Sequence, residues 1–317
     1  MPDGSGPAQV VAHYSEFVTT EEPKPVCHGR IAEPPVKGYL SNGQLHLEAN
    51  CRYALWQRSH ASSCLQGVWV VVPGGSNTIL MTINLANLLV PDTLHPIDDH
   101  ASMGEATVID LVFEDGHVAY KNSVNLDICT PEPFDQACRK AIAAEIAKAP
   151  SYTPKANRIT LIVAQYWDHV SAALDVVEFD AVWAKGEVAL LTQVSAWYIY
   201  CSVKAMEWCP RKDLLSKTDE VGLDNFVSDM MTVVARLERF CAPDGRAGIR
   251  GCVVGTTSWQ DPPPGREAMW YGRYNDAIKK AFRPIASPTL RLIDFWELGM
   301  AMPTECILGH GSPVSNL

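Results

Sequence analysis

No stretch of this sequence stays apolar for the roughly 18 residues that a membrane-crossing helix needs. The most apolar segment, around 66–72, is far shorter than that. Basic charge is not in excess either: 26 Lys and Arg stand against 36 Asp and Glu, a net charge of −10. That balance excludes a general nucleic-acid binder, because phosphate neutralisation needs clustered cations. The opening Met1-Pro2-Asp3-Gly4 lacks the charged and apolar regions of an export signal. No CxxC pair occurs, nor any Cys/His group at zinc-finger spacing, so no structural metal is expected. Asn-x-Ser/Thr acceptors are absent as well. With 47% apolar and 20% charged residues, the 317-residue chain has the composition of a globular protein and not of a disordered one.

Cysteine, by contrast, is plentiful. Ten residues, Cys27, Cys51, Cys64, Cys129, Cys138, Cys201, Cys209, Cys241, Cys252 and Cys306, are spread along the chain. Several bracket short stretches: 51 and 64, 129 and 138, 201 and 209, 241 and 252. Buried thiols packing as small hydrophobes account for some such cysteines in general. The bracketing favours disulfides closing surface loops, with 129–138 and 201–209 the leading expectations. An oxidising compartment follows, so the chain is expected to be secreted or to reside in the secretory lumen, its signal or anchor lying outside the sequence in hand.

Residues 1–66 carry several prolines and no strong period, and are expected to form a loop-rich leader packed on a core domain over 67–317. Beyond the leader the pattern alternates. Gly67-Val68-Trp69-Val70-Val71-Val72 is nearly all apolar, as in a strand buried on both faces, and is expected to stop at Pro73. A helix is predicted over 78–89, a strand over 106–113, a helix over 134–148 and a strand over 158–164. Further strands are predicted over 188–194, 251–256 and 290–294, with helices over 226–240 and 274–282. Strand alternating with helix implies parallel strands and crossovers, hence a three-layer α/β sandwich with a central, mostly parallel sheet.

Ligands of such sheets bind outside the carboxyl ends of the strands. After the first core strand comes Gly74-Gly75-Ser76-Asn77. Two glycines permit a sharp turn, and a serine between strand and helix presents its hydroxyl beside helix-start N–H groups that can face an oxyanion. A plain Gly-Gly turn with Ser76 as a helix cap has the same residues. The Walker lysine is missing, so a phosphate loop does not fit. His310 follows the last strand in a glycine-flanked loop, from which a base could reach the same edge. Gln193-Val194-Ser195-Ala196-Trp197 ends a central strand with an amide, a hydroxyl and an aromatic ring.

Taken together, these segments resemble the SGNH (GDSL-like) hydrolase superfamily, and within it the PC-esterase branch that includes the trichome-birefringence-like polysaccharide O-acetyltransferases. Cys64-Leu65-Gln66-Gly67-Val68-Trp69-Val70-Val71-Val72-Pro73-Gly74-Gly75-Ser76 is similar to that branch's cysteine, strand and Gly-Asp-Ser block. Gln193-Val194-Ser195-Ala196-Trp197 resembles its Asn-x-Gly-x-Trp strand end, and Cys252-Val253-Val254-Gly255-Thr256-Thr257-Ser258 its strand ending in Thr-Thr-Ser. Tyr274-Asn275-Asp276-Ala277, Leu292-Ile293-Asp294 and the His310 loop resemble the closing segment.

The resemblance implies an SGNH/flavodoxin-like fold and a serine esterase or O-acyltransferase acting on an O-acyl ester, such as an acetylated carbohydrate. Ser76 would be the nucleophile and His310 the base, with no cofactor. Gly75, Asn77, Gln193, Ser195 and Trp197 would line the oxyanion and substrate site. Departures from the pattern are specific. Gly75 replaces the block's aspartate, and the aspartate of the closing Asp-x-x-His falls on Ile307, which cannot orient an imidazole. Asp294, at a strand end, and Glu305, five residues before the histidine, are the carboxylates that could substitute. The alternative is a catalytically inactive member that holds a glycan or protein partner. Asp98-Asp99-His100 and Asp168-His169 are further acid–histidine neighbours, expected to be solvated loop residues, and most of the tryptophans are expected to pack the core.

Overall fold

The computed structural model describes residues 38–41, 44–47, 58–94, 105–129, 134–178, 187–194, 198–199, 201, 219–241, 249–256, 266–282, 284–285 and 289–293. In chain order the elements are strands β1 (Gly38–Ser41) and β2 (Gln44–Leu47), helix α1 (Arg58–Cys64), β3 (Val68–Gly74), α2 (Ser76–Leu89), β4 (Val108–Glu114) and β5 (His117–Val124). There follow α3 (Gln136–Ile146), β6 (Asn157–Val163), α4 (Trp167–Glu178), β7 (Glu187–Gln193), α5 (Asp219–Phe240), β8 (Ile249–Gly255), α6 (Arg266–Phe282) and β9 (Leu290–Ile293).

Seven strands form one mixed sheet in the order β5-β4-β6-β3-β7-β8-β9. The five from β6 to β9 are parallel. An α/β fold with a mostly parallel sheet therefore stands. β3 sits near the middle because every one of its side chains is buried. Its alternating residues supply both cores: Trp69 and Val71 join the cluster formed with α3, α4, α5 and α6, while Val68, Val70 and Val72 join the one formed with α1 and α2. Each such aliphatic side chain contributes ~1.5–3 kcal/mol of burial. The helices present matching stripes, Ile79, Ile83, Ala86 and Leu89 on α2 and Trp270, Tyr274, Ile278 and Phe282 on α6.

The sheet is not parallel throughout. β4 runs antiparallel to β6, and β5 returns antiparallel along β4. The turn between them is Asp115-Gly116, with φ of 49° and 77°, the pairing that two-residue hairpins favour. β4 is held in register by a polar network at full burial. Asp110 and Arg158, both with side chains 0% exposed, pair at 2.6 Å. Thr160 donates to Asp110 at 2.7 Å and Trp69 Nε1 to Thr160 at 2.8 Å. Arg158 also donates to the Ile146 carbonyl at 2.7 Å, satisfying the C-terminal end of α3.

Two elements differ from the sequence pattern. β3 does not stop at Pro73 but continues to Gly74. Proline has no N–H for the ladder, and between Val71 and Gly74 the pairing with β7 lapses. The Thr192 hydroxyl bridges this gap by donating to the Pro73 carbonyl at 2.6 Å. α4 was not anticipated, although Val170, Ala173, Leu174 and Val177 form a buried helical stripe. Within 1–66 the described residues include the β1–β2 hairpin and α1; the rest of the expected loop-rich leader lies outside the described residues.

Cys129 and Cys138 form a disulfide, as expected, closing a separation of nine residues between the turn after β5 and α3. Cys241 and Cys252 form another, tying the end of α5 to β8. Cys201 is also disulfide-bonded; Cys209, expected to be its partner, lies outside the described residues, as do Cys27, Cys51 and Cys306. No helix among the described residues is long and apolar enough to cross a membrane.

Candidate functional site

The chain leaves β3 by α2 and continues into β4, β5 and β6 on one side. From β7 it leaves by α5 and reaches β8 on the other. The crossovers diverge on either side of β3 and β7, and an open α/β sheet has its crevice where that happens, above the carboxyl ends. Gly74-Gly75-Ser76-Asn77 lies at that point.

The turn is held by its neighbours. Gly74 pairs with Val163 on one side and Gln193 on the other. Its carbonyl accepts from Ala164 N at 2.9 Å, and Gly75 N donates to the Gln193 carbonyl at 3.3 Å. A Cβ on Gly74 would lie 2.6 Å from Thr78 Cγ2 and 3.0 Å from the Gln193 carbonyl oxygen, so glycine is required there by close approach. Gly75 is the N-cap of α2 and offers no side-chain cap. Instead its carbonyl accepts from Thr78 Oγ1 at 2.6 Å and Thr78 N at 3.0 Å. Thus α2 begins with backbone N–H groups at the crevice and no side-chain acceptor on Gly75 to take them, which is the local chemistry of an anion or oxyanion site.

Ser76 opens α2 here, and its backbone alone is described. Asn77 follows at 6% exposure, and its Oδ1 has no hydrogen-bond partner among the described residues. Gln193, 3% exposed, donates through Nε2 to the Thr256 carbonyl. Thr256 N in turn donates to the Ile293 carbonyl at 3.0 Å. A run of ties therefore crosses the edge from β3 to β9. The structure brings Gly75, Ser76, Asn77 and Gln193 together. Ser195, Trp197, Asp294, Glu305 and His310 lie outside the described residues.

Beside this turn, beyond β6, stands a pair that local sequence does not announce. His169, on the first turn of α4, meets Glu105, which precedes β4, with Nδ1 to Oε1 at 2.5 Å. The same carboxylate oxygen accepts Gln165 N at 3.1 Å. His169 is 8% exposed, stacked on Phe134 and edge-on to Tyr166. The expectation of a solvated loop residue next to Asp168 is corrected: the acid that matters to this imidazole is 64 residues away, and no spacing rule reaches that far.

On the other face of the edge, Tyr198 donates to Asp229 at 2.7 Å and accepts Trp167 N at 3.2 Å. Burial, then the Asp229 carboxylate, push its phenol well above the ordinary tyrosine value, so it remains a donor. Trp167 and Trp270 are core residues, as expected of most tryptophans. Among the described residues, no group of three His, Cys, Asp or Glu side chains is placed to hold a metal ion. No protein-family model, curated protein or solved structure matches the chain.

Proposed function

We propose that this protein is a serine esterase or O-acyltransferase of the SGNH type, with Ser76 as nucleophile and a neutral O-acyl ester, such as an acetylated carbohydrate, as substrate. The observation that carries the reading is the position of the Gly74–Gly75–Ser76 turn: the carboxyl end of a central parallel strand, beside the first N–H groups of α2. Ser76 Oγ attacks the acyl carbonyl, and His310 takes its proton and passes it to the departing alcohol. Water hydrolyses the acyl-enzyme, or an acceptor hydroxyl takes up the acyl group. The N–H groups of Ser76 and Asn77 hold the oxyanion, where loss of one donor typically costs ~3 kcal/mol of transition-state stabilisation. The disulfides suit an oxidising, secretory setting.

A fluorophosphonate probe with peptide mapping tests this. Labelling at Ser76, abolished in Ser76→Ala, supports the enzyme. A folded protein that resists the probe supports the inactive glycan- or protein-binding alternative. If Asp294 orients His310, Asp294→Asn lowers turnover by up to ~10⁴-fold; a wild-type rate in that variant rejects Asp294, and the same result for Glu305→Gln leaves a Ser–His dyad.

A further inference from the structure

Two carboxamides flank the turn that carries Ser76, and among the described residues only that of Gln193 has a hydrogen-bond partner. Gln193, opposite Gly74 on β7, spends an amide hydrogen on the Thr256 carbonyl. Gln165, past the end of β6, is half-buried, and its side chain makes no hydrogen bond to the described residues. Its backbone is nonetheless fixed. Ala164 N is bonded to the Gly74 carbonyl at 2.9 Å. Gln165 N is bonded to Glu105, whose same oxygen is held by His169 at 2.5 Å.

The direction of Gln165 follows from alternation along the strand. Leu161 and Val163 pack into the core on the α2 side, and Ile162 and Ala164 into the opposite one. Gln165 is next, so it falls on the α2 side, above the strand that neighbours β3. By the same count Gln193 falls on that side: Leu191 packs with the α2 core, and Leu190 and Val194 with the other. The helix start lies between them, and there Asn77 holds a buried Oδ1 with no partner among the described residues. A carboxamide whose side chain has no hydrogen bond among the described residues, on an immobilised backbone beside the first N–H groups of α2, can donate to an oxygen held at this turn.

We propose that Gln165 is a substrate-contacting residue of this site, its Nε2 donating to the acyl oxygen from the side of the turn opposite Gln193. This rests on Ser76 being the nucleophile. Gln165 Nε2 strengthens its hydrogen bond as the carbonyl oxygen gains charge in the tetrahedral transition state. Glu105 and His169 are positioning residues that act through the Gln165 backbone. A neutral amide in this place suits an uncharged ester.

The test is the second-order rate of fluorophosphonate labelling at Ser76 in the full chain, since phosphonylation also places charge on an oxygen at this position. Gln165→Ala and the near-isosteric Gln165→Glu, which keeps the shape but presents no amide donor, are compared with wild type, with folding checked by circular dichroism. Both variants should label at least tenfold more slowly, up to the ~10²–10³-fold loss seen when one oxyanion donor is removed. Wild-type labelling rates in both folded variants overturn the role of Gln165 and leave Ser76 standing. A wild-type rate in Gln165→Glu alone also overturns it, since shape and not donation would then matter. No labelling of folded wild-type protein overturns the nucleophile, and the role of Gln165 with it.

Discussion

Replacing Arg158 by methionine should be among the most damaging single changes outside the site. The guanidinium is fully buried and donates to Asp110 at 2.9 and 2.6 Å and to the Ile146 carbonyl at 2.7 Å. It also lies 4.6 Å from the centre of the Trp69 ring. Methionine fills much of the space but leaves the Asp110 carboxylate buried with Thr160 as its remaining donor among these contacts. Breaking one side of a buried ion pair costs about 3–5 kcal/mol. Asp110→Leu should cost a similar amount for the reciprocal reason. The double variant removes both charges, so its loss should fall below the sum of the two by roughly 2–3 kcal/mol, a coupling typical of residues within one network. What it still loses is the donor to the Ile146 carbonyl, about 1–3 kcal/mol. Urea unfolding with the disulfides intact, followed by tryptophan fluorescence, measures all three. A loss below about 1 kcal/mol in Arg158→Met, or strict additivity in the double variant, would refute the claim that these charges depend on each other.

Gly74→Ala should cost about 1–3 kcal/mol by overpacking, read as a lowered melting temperature, because the added methyl meets Thr78 and the Gln193 carbonyl. Cys138→Ser should cost about 2.6 kcal/mol from the freed nine-residue separation, and thiol titration of the denatured, non-reduced variant should find one thiol more than in wild type. Thr192→Val should cost about 1–3 kcal/mol, since it leaves the buried Pro73 carbonyl without the hydroxyl that bridges the gap in the ladder; an unchanged midpoint would dismiss that bridge. For Tyr198 the sign is set by its raised value: the folded state holds the proton more tightly than the unfolded chain, so its contribution is complete below the ordinary tyrosine value and declines as pH rises through and above it. Phenolate absorbance should therefore include a tyrosine that ionises after the exposed ones, and loss of that component in Tyr198→Phe assigns it to Tyr198.

The main strands were legible because burial on both faces leaves continuous apolar runs such as Val68 to Val72. β5 was not, because an edge strand has neither face fully buried: His117 to Val124 alternates between exposed and half-buried residues, and only the Asp115-Gly116 turn signals it. The direction of β4 was hidden too, since antiparallel and parallel strands share the same apolar pattern. What sets it apart is Asp110, a charge that becomes tolerable only beside Arg158, 48 residues later. At the site the same division holds. A glycine pair followed by serine is a local signal, so the turn could be found. Gln165 looks like any polar residue after a strand, and its significance comes from Glu105 and His169, which reach it from distant parts of the chain.

The reversal of β4 has a practical consequence. Because this strand runs against β6, its start at Val108 lies level with Ile162 and its end near Asn157. Chain length added before Glu105 is thus delivered to the crevice, where it can alter what enters, while chain length added at Asp115-Gly116 emerges at the opposite pole. Those two residues are exposed and already adopt positive φ. They mark the place where an affinity tag or reporter domain can be spliced into the chain with the Ser76 edge left untouched.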